Sequence, residues 1–197
     1  MSAPGKVALG MTVRLLCIVL CCLLSLALNL PGYGQIKLAP NDEYKAKAKF
    51  LFNFGKFTSW PDDVLANNDR FKLCLLGGDP FGLFLDLLAV RGIRRHDVEI
   101  HRLRAVEKAA GCHLLFLAEA AIPDEGRIPS ELLRRGMFVI ADTPGLAARG
   151  VVANLVMEKG QVRFEINLDA ARRADLILDT QLLRLGRLRT DEKGKQP

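Results

Sequence analysis

Apolar and polar residues follow two rhythms along this chain, one helical and one strand-like. Phe50, Leu51, Phe54 and Phe57 recur at i, i+1, i+4 and i+7, and Lys45, Lys47, Lys49 and Lys56 take the opposite side. That spacing predicts an amphipathic helix from about Glu43 to Thr58. Asn41 and Asp42 offer N-cap chemistry at its start. Trp60-Pro61 ends it, because the residue before a proline avoids helical geometry.

The strand rhythm begins at Phe71. Phe71 to Leu76 is a short apolar run closed by Gly77-Gly78, which reads as a buried strand. Asp79-Pro80 supplies an N-cap and a first-turn proline for a helix carrying Phe81, Phe84, Leu85 and Leu88. Val98 to Leu103 alternates and reads as a second strand. His113 to Leu117 is a third, Ser130 to Arg135 a short helix, and Met137 to Ala141 a fourth strand. Val151 to Met157 and Gln161 to Ile166 then flank Glu158-Lys159-Gly160, a hairpin signal. Asn167 or Asp169 caps a final helical region through Ala171, Ala174, Leu178, Leu182 and Leu185. Asp179-Thr180 restarts that region, so two helices are expected. Strands alternating with helices predict a single α/β layered domain. Its central sheet is expected to be largely parallel, with helices on both faces and a late antiparallel hairpin at one edge.

The N-terminal 34 residues stand apart. Lys6 and Arg14 are the only charges before Lys37, and Leu15 to Leu30 is apolar except for Ser25 and Asn29. Pro31, Gly32, Tyr33 and Gly34 follow. A basic start, an apolar middle and a small-residue end describe a secretory signal peptide cleaved before Gln35. The competing reading is a retained anchor, for which the run is short, since a span needs roughly 20 residues. Cys17, Cys21 and Cys22 lack the preceding small residues of a lipidation site. Residues 42–190 then form the domain, and 191–197 a polar, frayed tail.

Export changes the reading of charge and cysteine. Of 28 basic residues, 26 remain after Gly34 against 22 acidic ones, a net charge of +4. The arginines fall in scattered pairs with no interleaved aromatics, which argues against a nucleic-acid partner. Only Cys74 and Cys112 remain in the exported part. In an oxidising compartment they suggest one disulfide, with two buried thiols as the alternative.

Candidate chemistry is sparse. His96, His101 and His113 have no metal-ligand spacing, so no metal site is expected. Ser59 and Ser130, the serines of the exported part, lack a nucleophile-elbow context. No catalytic residue and no cofactor are therefore assigned. Gly77, Gly78, Asp79 and Gly82 lie where a strand gives way to a helix, the end of an open α/β sheet that favours ligands. They form a candidate ligand mouth, or else a tight turn before a capped helix. Trp60, the single tryptophan, is either an interface anchor or a core residue.

Four blocks carry a resemblance to a known family. They are Tyr44-Lys45-Ala46 through Trp60-Pro61, then Leu73 to Gly77 with Asp79 to Gly82, then Cys112 to Leu117, and last Val162 to Leu168 with Ala170 to Ala174 and Leu182 to Leu185. In this order, from about Asp42 to Leu188, they resemble the YfiR family of bacterial periplasmic proteins. The resemblance implies a periplasmic regulator of cyclic di-GMP signalling and biofilm formation. Its partner would be the periplasmic domain of an inner-membrane diguanylate cyclase (a GGDEF protein) or a related sensor, held inactive by contact. It also implies a homodimer, and it matches Cys74 and Cys112 to the family's shared cysteine pair. A second family pair near the hairpin has no counterpart, because Val151 to Asn154 contains no cysteine. Trp60, Leu182 and Leu185 are the candidate partner contacts. The alternative function is a small-ligand module acting with a sensor kinase or an outer-membrane receptor.

Overall fold

The computed structural model describes residues 40–66, 69–123 and 126–191. Contacts divide the chain into Met1–Ile36 and Lys37–Pro197, and the described residues all belong to the second unit. The expected signal segment and residues 192–197 of the expected tail lie outside the described residues. Asp191, the first residue of that tail, is held by Asn167 and Arg173 rather than frayed.

Helix α1 runs Pro40–Lys56. It starts earlier than the capping residues suggest, so Asn41 and Asp42 lie inside its first turn. Proline suits this position because the first helical N–H groups have no intrahelical partner anyway. The short strand β1 (Thr58–Ser59) follows, then β2 (Phe71–Leu76), α2 (Leu83–Ala89) and β3 (Val98–Leu103). Next come β4 (Leu114–Leu117), β5 (Phe138–Ala141), β6 (Ala153–Glu158) and β7 (Gln161–Asn167). The C-terminal part holds α3 (Leu168–Arg173), β8 (Ile177–Leu178), α4 (Thr180–Leu185) and β9 (Arg187–Arg189).

Seven strands form one sheet in the order β3-β2-β4-β5-β6-β7-β9. The first five are parallel to one another. Only β7 turns back against β6, and β9 then lies parallel to β7. The hairpin register pairs Glu158 with Gln161 across Lys159 and Gly160, both at positive φ. That two-residue turn matches the right-handed strand twist, and its glycine position suits a positive φ. Strands β1 and β8 form a separate antiparallel pair.

The alternation of side chains explains why the central strands read as unbroken apolar runs. Leu73, Leu75, Leu114, Phe116, Phe138 and Ile140 face one core. Cys74, Leu76, Leu115, Leu117, Val139 and Ala141 face another. A parallel strand covered on both sides has no solvated face to keep polar. Helical segments cover both faces, but unequally. On the first, Leu51 and Phe54 of α1, Leu85 of α2, Ala171 of α3 and Leu182 of α4 join the core. The Phe54 ring lies 5.4 Å from Phe138 and 5.2 Å from Phe164. The second face is closed by 3₁₀ turns carrying Ala109, Leu132 and Leu146. The expected helix at Ser130 is one of these turns and ends at Leu132.

Candidate ligand cleft at the sheet switch point

Strand order places β3 and β4 on opposite sides of β2, so the chain reverses its direction of travel across the sheet there. Open α/β sheets bind ligands beyond the strand C-termini at such a point. A cleft of about 730 Å³ lies at this position. Its walls come from the ends of β2 (Gly77, Gly78), β4 (Ala118, Glu119) and β5 (Asp142, Thr143), and from Tyr44 and Lys47 of α1. The volume suits a small molecule.

A buried polar cluster forms one wall. Lys47 is only 4 % exposed. Its Nζ donates to Asp142 Oδ2 at 2.7 Å and pairs with Glu43 Oε1 at 2.6 Å. Tyr44 Oη also donates to Asp142 Oδ2, at 3.2 Å, and Lys47 Nζ sits 4.5 Å from the centre of the Tyr44 ring. Burial alone would depress the Lys47 pKa, but the hydrogen bonds to Asp142 and Glu43 outweigh it and raise the value. Burial first, then the Asp142 charge, raises the Tyr44 pKa. Lys47 therefore stays an ammonium and Tyr44 a neutral phenol. Neither is poised as a base or nucleophile, and the arrangement suits binding. Desolvating such a network is costly, so it is weakly explained by stability alone.

Three of the four expected mouth residues line the cleft. Gly77 has φ +88, and a Cβ there would meet Ala121 Cβ at 2.6 Å. Gly78 also lines it. Asp79 is used locally: its Oδ1 accepts from the N–H groups of Phe81 (2.8 Å) and Gly82 (3.0 Å), and its Oδ2 from Arg102 Nε (2.7 Å). Gly82 is not part of the lining but precedes α2 as its N-cap. The helix thus begins at Leu83, later than the Asp79-Pro80 signal implies. Lys47 corrects a second expectation. It lies four residues before Leu51 and seven before Phe54, on the apolar side of α1, and not with the solvated lysines.

The other candidate residues fall elsewhere. Cys74 and Cys112 are joined by a disulfide, with Cα atoms 6.0 Å apart. It ties the middle of β2 to the loop before β4 on the second face of the sheet. Trp60 is buried, donates from Nε1 to the Gly136 carbonyl at 3.0 Å and packs edge-on to Phe71. Leu182 is buried in the first core. Both are buried and offer little surface to a partner in this fold, which corrects the expectation of exposed contacts there. Leu185 remains a surface residue, 75 % exposed.

His113, next to the disulfide, is held as a neutral ring. Its Nδ1 accepts from the Lys72 N–H at 2.9 Å, so Nε2 carries the proton towards the Val64 carbonyl at 3.2 Å. Burial lowers its pKa below the usual 6.5, with the nearby Lys72 charge adding to the effect. The unfolded chain then binds more protons than the folded one between the two values. Stability from this group is complete above about pH 6.5 and is lost as pH falls through the folded-state value. Thermal melts should show a decline from about pH 7 to pH 5 that is flatter in His113→Gln. An unchanged slope in that variant would assign the acid sensitivity to other groups.

The YfiR/HmsC-like family model matches residues 44–187. The chain belongs to the YfiR/HmsC-like family. The match includes Tyr44, Lys47, the disulfide, the cleft and β7, so the whole described core falls within it. YfiR/HmsC-like proteins are periplasmic regulators of cyclic di-GMP signalling, and the domain is regulatory rather than catalytic.

Proposed function

We propose that this protein is exported through a cleaved signal peptide ending near Gly34 and binds the periplasmic domain of an inner-membrane diguanylate cyclase or related sensor. Contact with that domain holds the partner inactive. A homodimer, implied by the family resemblance, is part of the same reading.

The observation that carries it is a surface one. Leu83, Leu87 and Val90 are 81 %, 67 % and 86 % exposed. Their i, i+4, i+7 spacing puts Leu83 and Leu87 on one side of α2 and Val90, the residue that caps its C-terminus, in line with them, while Leu85 on the other side is buried. Isolated exposed apolar residues are ordinary, but three along one side of a helix and its C-cap are of the kind that marks association. Leu185 supplies a second, separate candidate contact.

Deleting the gene should raise cellular cyclic di-GMP. The pair Leu83→Glu/Leu87→Glu should reproduce that rise with the protein still folded, because both side chains already face solvent. Unchanged cyclic di-GMP in the deletion strain, with its GGDEF proteins present, would reject the repressor reading. A folded double variant that still represses would move the contact to Leu185, where Leu185→Glu tests it. A second reading, a ligand module working with a sensor kinase or an outer-membrane receptor, is favoured by the switch-point cleft.

A further inference from the structure

The seven-stranded sheet ends in β3 on one side and β9 on the other. A free edge is a row of unpaired N–H and C=O groups, a template for another strand unless something blunts it. Strand β3 is six residues long, contains no proline and pairs one-to-one with β2, without a bulge. In a parallel ladder alternate residues turn their backbone groups to the neighbouring strand. The Phe71 N–H donates to the Asp97 carbonyl at 2.8 Å, so Glu99, His101 and Leu103 turn towards β2 as well. Val98, Ile100 and Arg102 turn theirs outward, where they have no backbone partner among the described residues.

The side chains select the strand that fits. Val98 and Ile100 pack on the first core. Glu99 and His101 share the other face, with Oε2 and Nε2 3.4 Å apart. Residues directly opposite in an antiparallel pair share a face. Two identical strands related by a two-fold axis must therefore pair about a residue. Pairing about Ile100 sets Ile100 against its own counterpart and Val98 against Arg102 of a second copy. Every outward N–H and C=O of β3 then finds a partner. The same register sets Glu99 opposite His101 of the second copy, twice, at the closer positions between bonded pairs. A histidine ring can donate to a carboxylate from either nitrogen. Pairing about Glu99, His101 or Arg102 would instead oppose like groups. The other edge is blunted: β9 has three residues, and any symmetric pairing of it sets arginine against arginine, at Arg187 or Arg189.

We infer that β3 is a docking edge for a second copy of this chain, paired antiparallel about Ile100 with Glu99 opposite the second copy's His101. This rests on the homodimer of the proposed function and names its surface. It does not depend on which sensor the regulator contacts.

Sedimentation equilibrium of the purified protein measures the dimer dissociation constant, and the parent should dimerise. Ile100→Pro removes an N–H that no strand of the same copy uses, at an edge where proline is tolerated. It should raise the constant roughly tenfold or more, since each copy loses a central bond to the other. Glu99→Lys changes a partly exposed side chain and should raise the constant about threefold to tenfold. It keeps the test open if Ile100→Pro folds poorly. Adding His101→Glu to Glu99→Lys reverses both members of the pair and should restore the parental constant. A monomeric parent would overturn the dimer and this edge together. A folded Ile100→Pro protein that dimerises as well as the parent would keep the dimer and reject the edge. A dimer indifferent to Glu99→Lys, or not restored by the double change, would reject the register.

Discussion

Removing the Cys74–Cys112 bridge should cost about 3–4 kcal/mol of stability in oxidising buffer, the chain-entropy value for a loop of this length. The bonded residues are 38 apart in sequence, and the loop between them contains α2 and β3, the whole of one sheet edge. A Cys74→Ala/Cys112→Ala protein avoids stray thiols and should melt well below the parent. Reductant should bring the parent most of the way down towards the variant, short of it by the packing that the two thiols keep, and leave the variant unchanged. Equal deficits with and without reductant would mean that the two sulfurs act by packing alone. Both cysteines are buried, Cys74 completely, so some packing loss is included in the expected difference.

The second large effect is expected at Trp60. Its ring packs against Phe71, and its Nε1–H satisfies the Gly136 carbonyl just before β5. Trp60→Ala should destabilise by about 3–5 kcal/mol, as large-to-small core changes do, and leave that carbonyl without its donor. Urea denaturation would measure it. Any loss of regulation in such a variant would follow from lost folded protein. A Trp60→Ala protein of near-parental stability that fails to regulate would restore Trp60 to the partner surface. Leu182→Asp belongs with Trp60→Ala, because it places a charge in the first core.

The strands are legible where local pattern decides them. Phe71–Leu76 has its observed limits because an apolar run meets two glycines that close it, and Lys159-Gly160 marks the hairpin. Both C-terminal helices are visible through their caps: Asn167 accepts from the Ala170 N–H and Asp179 from the Gln181 N–H. The features that escape a reading of the sequence depend on distant partners. Asp79 carries the chemistry of a helix cap, but Arg102 and the loop N–H groups take its carboxylate. Lys47 resembles its lysine neighbours until Asp142, 95 residues later, arrives beside it. Strand β9 is three exposed residues with no alternation to read. It exists because β7 offers a free edge and because Arg187 and Arg189 reach Glu158 and Glu165. At the cleft, the glycine end of β2 is readable, and Tyr44 stands within a recognised block. Asp142 simply follows an apolar strand, and its position becomes meaningful only with the strand order.

The arrangement of the sheet also governs the order in which it can assemble. Among its neighbouring strands only β6 and β7 are joined by a tight turn; every other pair waits for an intervening crossover or a longer connection. Hairpins close in about 1–10 μs, whereas pairings between distant segments are slower. The C-terminal hairpin is thus the natural early structure, while the apolar strands β2, β4 and β5 stay uncovered for longest. Cys74 and Cys112 approach each other only when β2 and β4 align. Correct oxidation therefore reports late docking at the centre of the sheet, and a folding catalyst would have most to protect in that interval.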